Sequence, residues 1–143
     1  MERLSPQEKK LKLIQDFNAF NQWEDRYKKL IELGKKLPPL AENEKVDANI
    51  VKGCQSQVWI ISKKNQDGYV EYTGDSDALI SKGLVALVLG IYSGGTPQEI
   101  LSTPPDFIKE LGFETHLSPS RTNGLFSMIK KVVMDAYLFQ NKA

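Results

Sequence analysis

The 143-residue sequence contains one cysteine, Cys54, and one histidine, His116. One cysteine cannot form a disulfide within the chain, so nothing indicates an oxidising compartment. A tetrahedral zinc site and an iron–sulfur cluster each need about four protein ligands, mostly cysteine and histidine. The sequence therefore predicts no metal site.

Excess charge of one sign and long apolar runs are also missing. Lysine and arginine number 19 against 18 acidic residues, and a formal net charge of +1 gives no general attraction to nucleic acid or to an anionic membrane. No apolar run reaches the ~18 residues that span a bilayer. The charged N-terminal stretch is unlike a secretory signal. We therefore expect a cytoplasmic protein without nucleic-acid or membrane partners, folded as a single domain over residues 1–143.

Helical periodicity dominates both ends of the chain. The run Ser5-Pro6-Gln7-Glu8 is typical of a capping box that opens a first helix. Apolar spacing over 23–34 predicts a second helix, which we expect to pair antiparallel with the first. Residues 80–91 are apolar on most faces, which predicts a buried central helix. Further start signals predict two short helices and a long last one, at Thr96, Thr103 and Ser118.

Alternation with a period of two occurs in one region. Residues 56–61 and 69–73 alternate, and the Asp67-Gly68 pair between them predicts an antiparallel hairpin. Residues 46–52 are the best candidate for a third strand. Helices and strands are segregated along the chain, so the predicted class is α+β.

Cys54 follows Gly53 on a predicted turn just before the first strand. A free cysteine is often a buried apolar side chain. Turns usually lie at the surface, where a thiol can react. Glycine permits a tight turn and leaves room for a partner. The local sequence leaves both interpretations open.

Two other classes of function are compatible with parts of the sequence. A thiol hydrolase would use Cys54 as nucleophile and His116 as base, although their spacing does not match known signatures. A non-catalytic interaction module would use the exposed edge of the hairpin, and alkylation of Cys54 would leave it unaffected. The carboxylates Asp75 and Asp77 fit the N-terminus of the central helix, where negative charge is favourable.

The stretch Gly53-Cys54-Gln55-Ser56-Gln57-Val58-Trp59 resembles the signature of the SufE family, the sulfur acceptors of cysteine desulfurases that include the SufE and CsdE branches. The resemblance covers nearly the whole chain, and its specific parts are the cysteine segment and the late Leu-Ser-Pro-Ser-Arg run. Other landmarks match in the same order, at residues 21–27 (NQWEDRY), 31–34 (IELG), 37–38 (LP), 74–78 (GDSDA), 82–84 (KGL), 96–98 (TPQ) and 116–121 (HLSPSR).

The resemblance implies a small antiparallel sheet of about three strands backed by helices, similar to the fold of iron–sulfur scaffold proteins. It implies that Cys54 receives persulfide sulfur from a desulfurase of the SufS or CsdA type, stimulates that enzyme and passes the sulfur to an iron–sulfur assembly scaffold. The chain would then be a transfer partner, not an enzyme. It would bind no cofactor, because the pyridoxal phosphate belongs to the desulfurase.

The resemblance also implies roles for single residues. Asp77 corresponds to an acidic position beside the acceptor loop, and Arg121 to an arginine at the desulfurase interface. We expect Asp77 to hold the loop in a shielded resting conformation, by accepting hydrogen bonds from backbone amides where the central helix begins. The oligomeric state, a homodimer included, stays open. The residues of the acceptor loop around Cys54 are Gly53, Gln55, Ser56 and Gln57.

Overall fold

Helices and one hairpin follow one another in the computed structural model, which describes residues 3–141. The predicted α+β class is confirmed. Two short 3-10 turns, Glu42–Glu44 and Asp47–Asn49, precede the hairpin. In chain order the elements are α1 Pro6–Asn18, α2 Trp23–Lys36, β1 Val58–Lys64, β2 Val70–Ser76, α3 Leu79–Tyr92, α4 Pro97–Leu101, α5 Phe107–Glu110, α6 Phe113–His116 and α7 Pro119–Gln140.

The predicted helix starts at Ser5, Thr96 and Ser118 are confirmed by their caps. The Ser5 hydroxyl accepts from the Glu8 backbone N–H at 3.2 Å, and the Glu8 carboxylate accepts from the Ser5 N–H at 3.0 Å. Thr96 forms the same reciprocal pair at α4. The Ser118 hydroxyl accepts from the Arg121 N–H at 3.3 Å, which fixes the first turn of α7. A proline follows each cap, where its missing N–H leaves no bond unmade.

β1 and β2 form the predicted antiparallel hairpin, with Val58 opposite Ser76. The Asn65 side chain closes the turn, because its carbonyl oxygen accepts from the backbone N–H groups of Asp67 and Tyr69, both at 3.0 Å. Asparagine commonly stabilises turns in this way. At its other end, the hairpin begins at Val58, immediately after the acceptor loop.

The third strand predicted at residues 46–52 is wrong. Within the described part of the chain the sheet has two strands. The segment contains the 3-10 turn Asp47–Asn49, and the Ile50 N–H donates back to the Asp47 carbonyl at 3.2 Å. These local bonds use backbone groups that a third strand would pair. What is left of the expected pairing is a single antiparallel bridge between Ile50 and Trp59.

α3 is the central helix of the core, as the sequence predicts. It packs against the hairpin and against α1, α2 and α7. The Tyr72 hydroxyl of β2 donates to the Val132 carbonyl of α7 at 2.8 Å, which joins the hairpin to the last helix. No helix between residues 3 and 141 is long and apolar enough to cross a membrane. The α3 side chains with no exposed area include Leu84, Val85, Leu87, Val88 and Ile91.

α2 crosses α3 at two glycines that bring the helix backbones into direct contact. A Cβ on Gly34 would lie 2.9 Å from the Gly83 nitrogen, and a Cβ on Gly83 would lie 2.4 Å from the Leu30 carbonyl oxygen. The sequence predicted that α1 and α2 form an antiparallel pair. This prediction is wrong, because α1 packs on α3, α4 and α5. Both leading helices are therefore arranged around α3.

Candidate functional site

Cys54 lies half-buried on the loop before β1, at the mouth of a cavity of about 120 Å³. The loop covers one side of the cavity, and α3 and α7 form the others. Leu84 and Met128, both buried, make its floor. The Cys54 Sγ lies 3.6 Å from the Gly124 carbonyl oxygen, to which the thiol can donate. Gly124 also lies directly beside the sulfur, since a Cβ at this position would be in van der Waals contact with it at 3.4 Å.

Burial raises the pKa of the Cys54 thiol above its ordinary value. The cause is desolvation, which disfavours the charged thiolate in surroundings that cannot hydrate it. The thiol is therefore protonated at neutral pH in this conformation and is a weak nucleophile. A reaction at Cys54 requires the loop to open or a partner to change its surroundings.

Gly53 has the backbone conformation that the sequence predicted for a tight turn. Its φ angle of +96° lies in the left-handed region that favours glycine. A Cβ at this position would also lie 2.5 Å from the Ser127 hydroxyl oxygen of α7. Both the dihedral angle and the close approach therefore require glycine next to Cys54.

Asp77 holds the acceptor loop directly, through Gln57. Its carboxylate accepts from the Gln57 N–H at 3.0 Å, and its own N–H donates to the Gln57 carbonyl at 3.2 Å. The Ser76 hydroxyl donates to the same carbonyl at 2.8 Å. The sequence predicted that Asp77 accepts hydrogen bonds from amides at the start of α3. This prediction is wrong, because the Asp77 carboxylate faces the loop, and the N-cap residue of α3 is Ala78. Asp77 thus fixes the end of the loop at the start of β1.

Asp75 does not lie at a helix N-terminus, which corrects the sequence interpretation. It lies in β2 and is 3% exposed, and its carboxylate accepts from the Leu40 and Ser76 N–H groups at 3.2 and 2.8 Å. The Lys82 and Lys45 ammonium groups lie 3.4 and 3.6 Å away. Burial acts to raise the pKa of Asp75, but the two hydrogen bonds and the two lysines outweigh it and lower that pKa. Asp75 therefore has a structural role: it joins β2 to the segment at Leu40 and to the lysines Lys45 and Lys82.

Arg121 lies on the rim of the same cavity as Cys54, so the two most specific segments of the sequence meet in space. Its side chain is exposed and projects from the first turn of α7. Ser118 and Ser120, from the same short run, line the rim beside it. Gln55 and Ser56 line the cavity from the loop, with Gln55 exposed and Ser56 half-buried.

Ser81, Gly124 and Met128 line the cavity although no sequence pattern indicated a function for them. The available signal for Ser81 was a hydroxyl placed among apolar residues of a buried helix. Gly124 and Met128 lie within the apolar pattern of α7, where nothing separates a residue that faces the thiol from one that fills the core.

His116 lies away from the cavity and stacks on the Trp23 ring, with 4.0 Å between ring centroids and 13° between planes. Its Nδ1 lies 3.1 Å from the Gly112 carbonyl oxygen, a local contact at the end of α6. The geometry does not pair His116 with Cys54 as a thiol hydrolase would require. Between residues 3 and 141, no three acidic, histidine or cysteine side chains are grouped to hold a metal ion.

Comparison with known proteins identifies the family and the fold. Residues 11–136 match the sequence model of SufE, an Fe–S metabolism associated domain. The fold is similar to the solution structure of a hypothetical protein from Thermus thermophilus, with a TM-score of 0.79, 22% identity, and coverage of 98% of this chain and 100% of that one. The second likeness concerns the fold alone. The match over most of the chain, which includes the acceptor loop, Asp77 and Arg121, shows that the protein belongs to the SufE family of iron–sulfur metabolism.

Proposed function

We propose that this protein is a persulfide carrier that accepts sulfur on Cys54 from a pyridoxal-phosphate-dependent cysteine desulfurase. It stimulates that enzyme and passes the sulfur to an iron–sulfur assembly scaffold. The observation that supports this most directly is the position of the one thiol in the sequence. It lies on a loop held by Asp77, at the mouth of a cavity with Arg121 on its rim.

The transfer is a thiol exchange reaction. The Cys54 thiol loses its proton and attacks the terminal sulfur of the donor's cysteine persulfide. The S–S bond of the donor breaks, the donor cysteine leaves as a thiolate, and a new S–S bond forms on Cys54. The step involves no net oxidation and needs no cofactor on this chain. A second nearby cysteine would expel the carried sulfur by closing a disulfide, which a single cysteine avoids.

The conformation of the loop supports a resting state that is shielded until a partner binds. The raised pKa and half-buried position of Cys54 keep the thiol unreactive in the free protein. Gly53 permits a rotation of the backbone at one end of the loop, and the Asp77–Gln57 bonds fix the other end. The exposed Arg121 guanidinium is available to contact the desulfurase on docking. A free thiol suits a reducing compartment, and we place the protein in the cytoplasm.

Intact mass spectrometry after incubation with a cysteine desulfurase and free cysteine tests the proposal. The wild-type protein should gain the mass of one or more sulfur atoms. Cys54→Ser should gain none, while its circular dichroism and melting temperature stay close to those of the wild type. An adduct that persists in Cys54→Ser would refute the assignment.

Two controls separate the alternative functions. His116→Ala should load sulfur at the wild-type rate, because His116 packs on Trp23 away from the thiol. Alkylation of Cys54 should abolish the stimulation of the desulfurase. If the alkylated protein stimulates as well as the free one, the protein acts as an interaction module and the thiol is not its working group.

A further inference from the structure

Ser81 presents a hydroxyl to the cavity that holds the Cys54 thiol. The residue lies in the first turn of α3 and is 8% exposed. Among residues 3–141, no group forms a hydrogen bond with this hydroxyl. Ser81 lines the cavity together with Leu84 and Met128, which offer it no polar partner.

Serine and threonine hydroxyls inside a helix commonly donate to the carbonyl four residues earlier. Ser81 lies in the first turn of α3, so the residue four positions earlier, Asp77, precedes the helix and offers no such helical carbonyl. In α7, Ser127 donates to the Asn123 carbonyl at 3.0 Å and Thr122 to the Ser118 carbonyl at 3.1 Å. The Ser81 hydroxyl has no intrahelical acceptor of this kind, so it can donate to a group that enters from outside the helix.

The accessible space next to Ser81 identifies where that partner would lie. In the described part of the chain, every fully buried polar side-chain atom has a hydrogen-bond partner. The Ser81 hydroxyl has none and must therefore reach accessible surface, and the surface beside it is the cavity at Cys54. Ser81 and the thiol therefore face the same small cavity, where one ligand can contact both.

A sulfur atom added to Cys54 fits this space. A persulfide extends the side chain by one S–S bond, about 2 Å beyond Sγ. The cavity of about 120 Å³ can hold that atom above its apolar floor. An anionic sulfur among Leu84 and Met128 loses hydration, and a hydrogen-bond donor is needed to offset the loss.

We propose that Ser81 is a positioning residue for the carried sulfur, donating its hydroxyl hydrogen to the terminal sulfur of the Cys54 persulfide anion. This inference rests on the proposed function of Cys54 as a sulfur carrier. No bond forms or breaks at Ser81. Its role is to favour the anionic persulfide and to keep it inside the cavity between loading and delivery.

Two consequences distinguish this role from a structural one. Removal of the hydroxyl should raise the apparent pKa of the persulfide, because the anion loses its donor. It should also speed loss of the sulfur to small thiols, because the neutral persulfide is the better electrophile and leaves the cavity more readily. Among the described residues that line the cavity, Arg121 alone is charged, and it is unchanged in every variant below. Lys82, next in sequence, faces Asp75 instead.

The experiment compares wild type, Ser81→Ala and Ser127→Ala, each loaded with inorganic polysulfide and freed of excess reagent. Intact mass follows the loss of sulfur from Cys54 in dithiothreitol. The near-ultraviolet absorbance of the persulfide anion, measured against pH, gives its apparent pKa. Ser127→Ala is the matched control, since its hydroxyl lies against the loop but already has an acceptor in Asn123.

Ser81→Ala should lose its sulfur about tenfold faster and show an apparent persulfide pKa about one unit higher, the effect of one hydrogen bond to a charged group. Ser127→Ala should match the wild type. Equal lifetimes and equal pKa values in Ser81→Ala and wild type would overturn the inference.

Loading with polysulfide also separates this inference from the proposed function. If the wild type takes up sulfur from polysulfide but not from a desulfurase, the carrier function fails while the role of Ser81 is still measured. Alanine has the highest helix propensity, so Ser81→Ala should retain α3. A melting temperature within a few degrees of the wild type would show that a faster loss of sulfur does not come from unfolding.

Discussion

Replacement of Gly53 by alanine tests the geometry of the acceptor loop most directly. The structure gives two separate reasons for a penalty at this position. A non-glycine residue at a φ of +96° is strained by about 1–3 kcal/mol. The new Cβ would also lie 2.5 Å from the Ser127 hydroxyl oxygen, and overlap of this kind adds about 1–3 kcal/mol.

The loop can relieve both penalties by moving away from α7, because few contacts hold it there. The Cys54 thiol bond to the Gly124 carbonyl, at 3.6 Å, is a weak one. Local opening therefore limits the global loss of stability in Gly53→Ala to about 1–2 kcal/mol, the lower end of the strain range. For a chain of this length, that loss lowers the melting temperature by about 3–8 °C.

Alkylation and unfolding measured on four proteins separate the two penalties. The proteins are wild type, Gly53→Ala, Ser127→Ala and the double variant. Ser127→Ala removes the overlapping oxygen, so the double variant should be more stable than the sum of the single changes predicts, by about 1 kcal/mol. The rate of Cys54 alkylation by iodoacetamide should rise in Gly53→Ala and return part of the way in the double variant. If Gly53→Ala is alkylated at the wild-type rate and melts at the wild-type temperature, the glycine is not required by the loop.

Three further outcomes follow from the site. Asp77→Ala should raise the rate of Cys54 alkylation severalfold, because it releases the Gln57 N–H that holds the loop. The free energy of unfolding should change by less than about 1 kcal/mol, because the bond lies at an exposed position. An unchanged alkylation rate would show that the bond does not hold the loop. The pH midpoint of Cys54 alkylation should lie above that of a peptide thiol, about 8.5, and return to it in denaturant, because burial raises the folded-state pKa. Asp75→Asn should destabilise the protein by about 1–3 kcal/mol at neutral pH, because Lys82 loses its partner and the hydrogen bonds lose their charged acceptor. Since the folded-state pKa of Asp75 is lowered, its stabilisation is present above the unfolded value of about 3.9 and is lost as pH falls through the folded value. Urea denaturation against pH should therefore show the difference between Asp75→Asn and wild type shrink in acid.

Features with local causes could be predicted from the sequence. The proline-marked starts at Ser5, Thr96 and Ser118 depend on a few neighbouring residues, and these three are confirmed. The start predicted at Thr103 is wrong, because the Thr103 hydroxyl donates back to the Glu99 carbonyl and α5 begins at Phe107. The positive φ at Gly53 is local in the same sense. The buried face of α3 follows from its apolar composition alone.

Features that depend on distant contacts could not be predicted. Residues 46–52 contain three β-branched residues, Val46, Ile50 and Val51, but 3-10 bonds within the segment replace most of the pairing with β1. Asp75 and Asp77 are separated by one residue, yet Asp75 is buried in β2 and Asp77 binds the loop. Their different roles follow from where β2 ends, which sequence signals place only to within a few residues. Arg121 and Cys54 line the same cavity because α7 packs against α3. No local sequence pattern predicts that packing.

The contact between Gly34 and Gly83 determines which wall of the cavity can move. Backbone touches backbone at this crossing, so α3 cannot turn or slide toward α2 without atomic overlap. Ser81 lies two residues before Gly83 on the same helix, so the side of the cavity that α3 forms is held in place. A displacement caused by a bound partner is therefore easier on the opposite side of the cavity, in the loop at Gly53. A protein that binds here moves the loop, and with it the packing of Cys54 on the core, while the α3 wall stays in place.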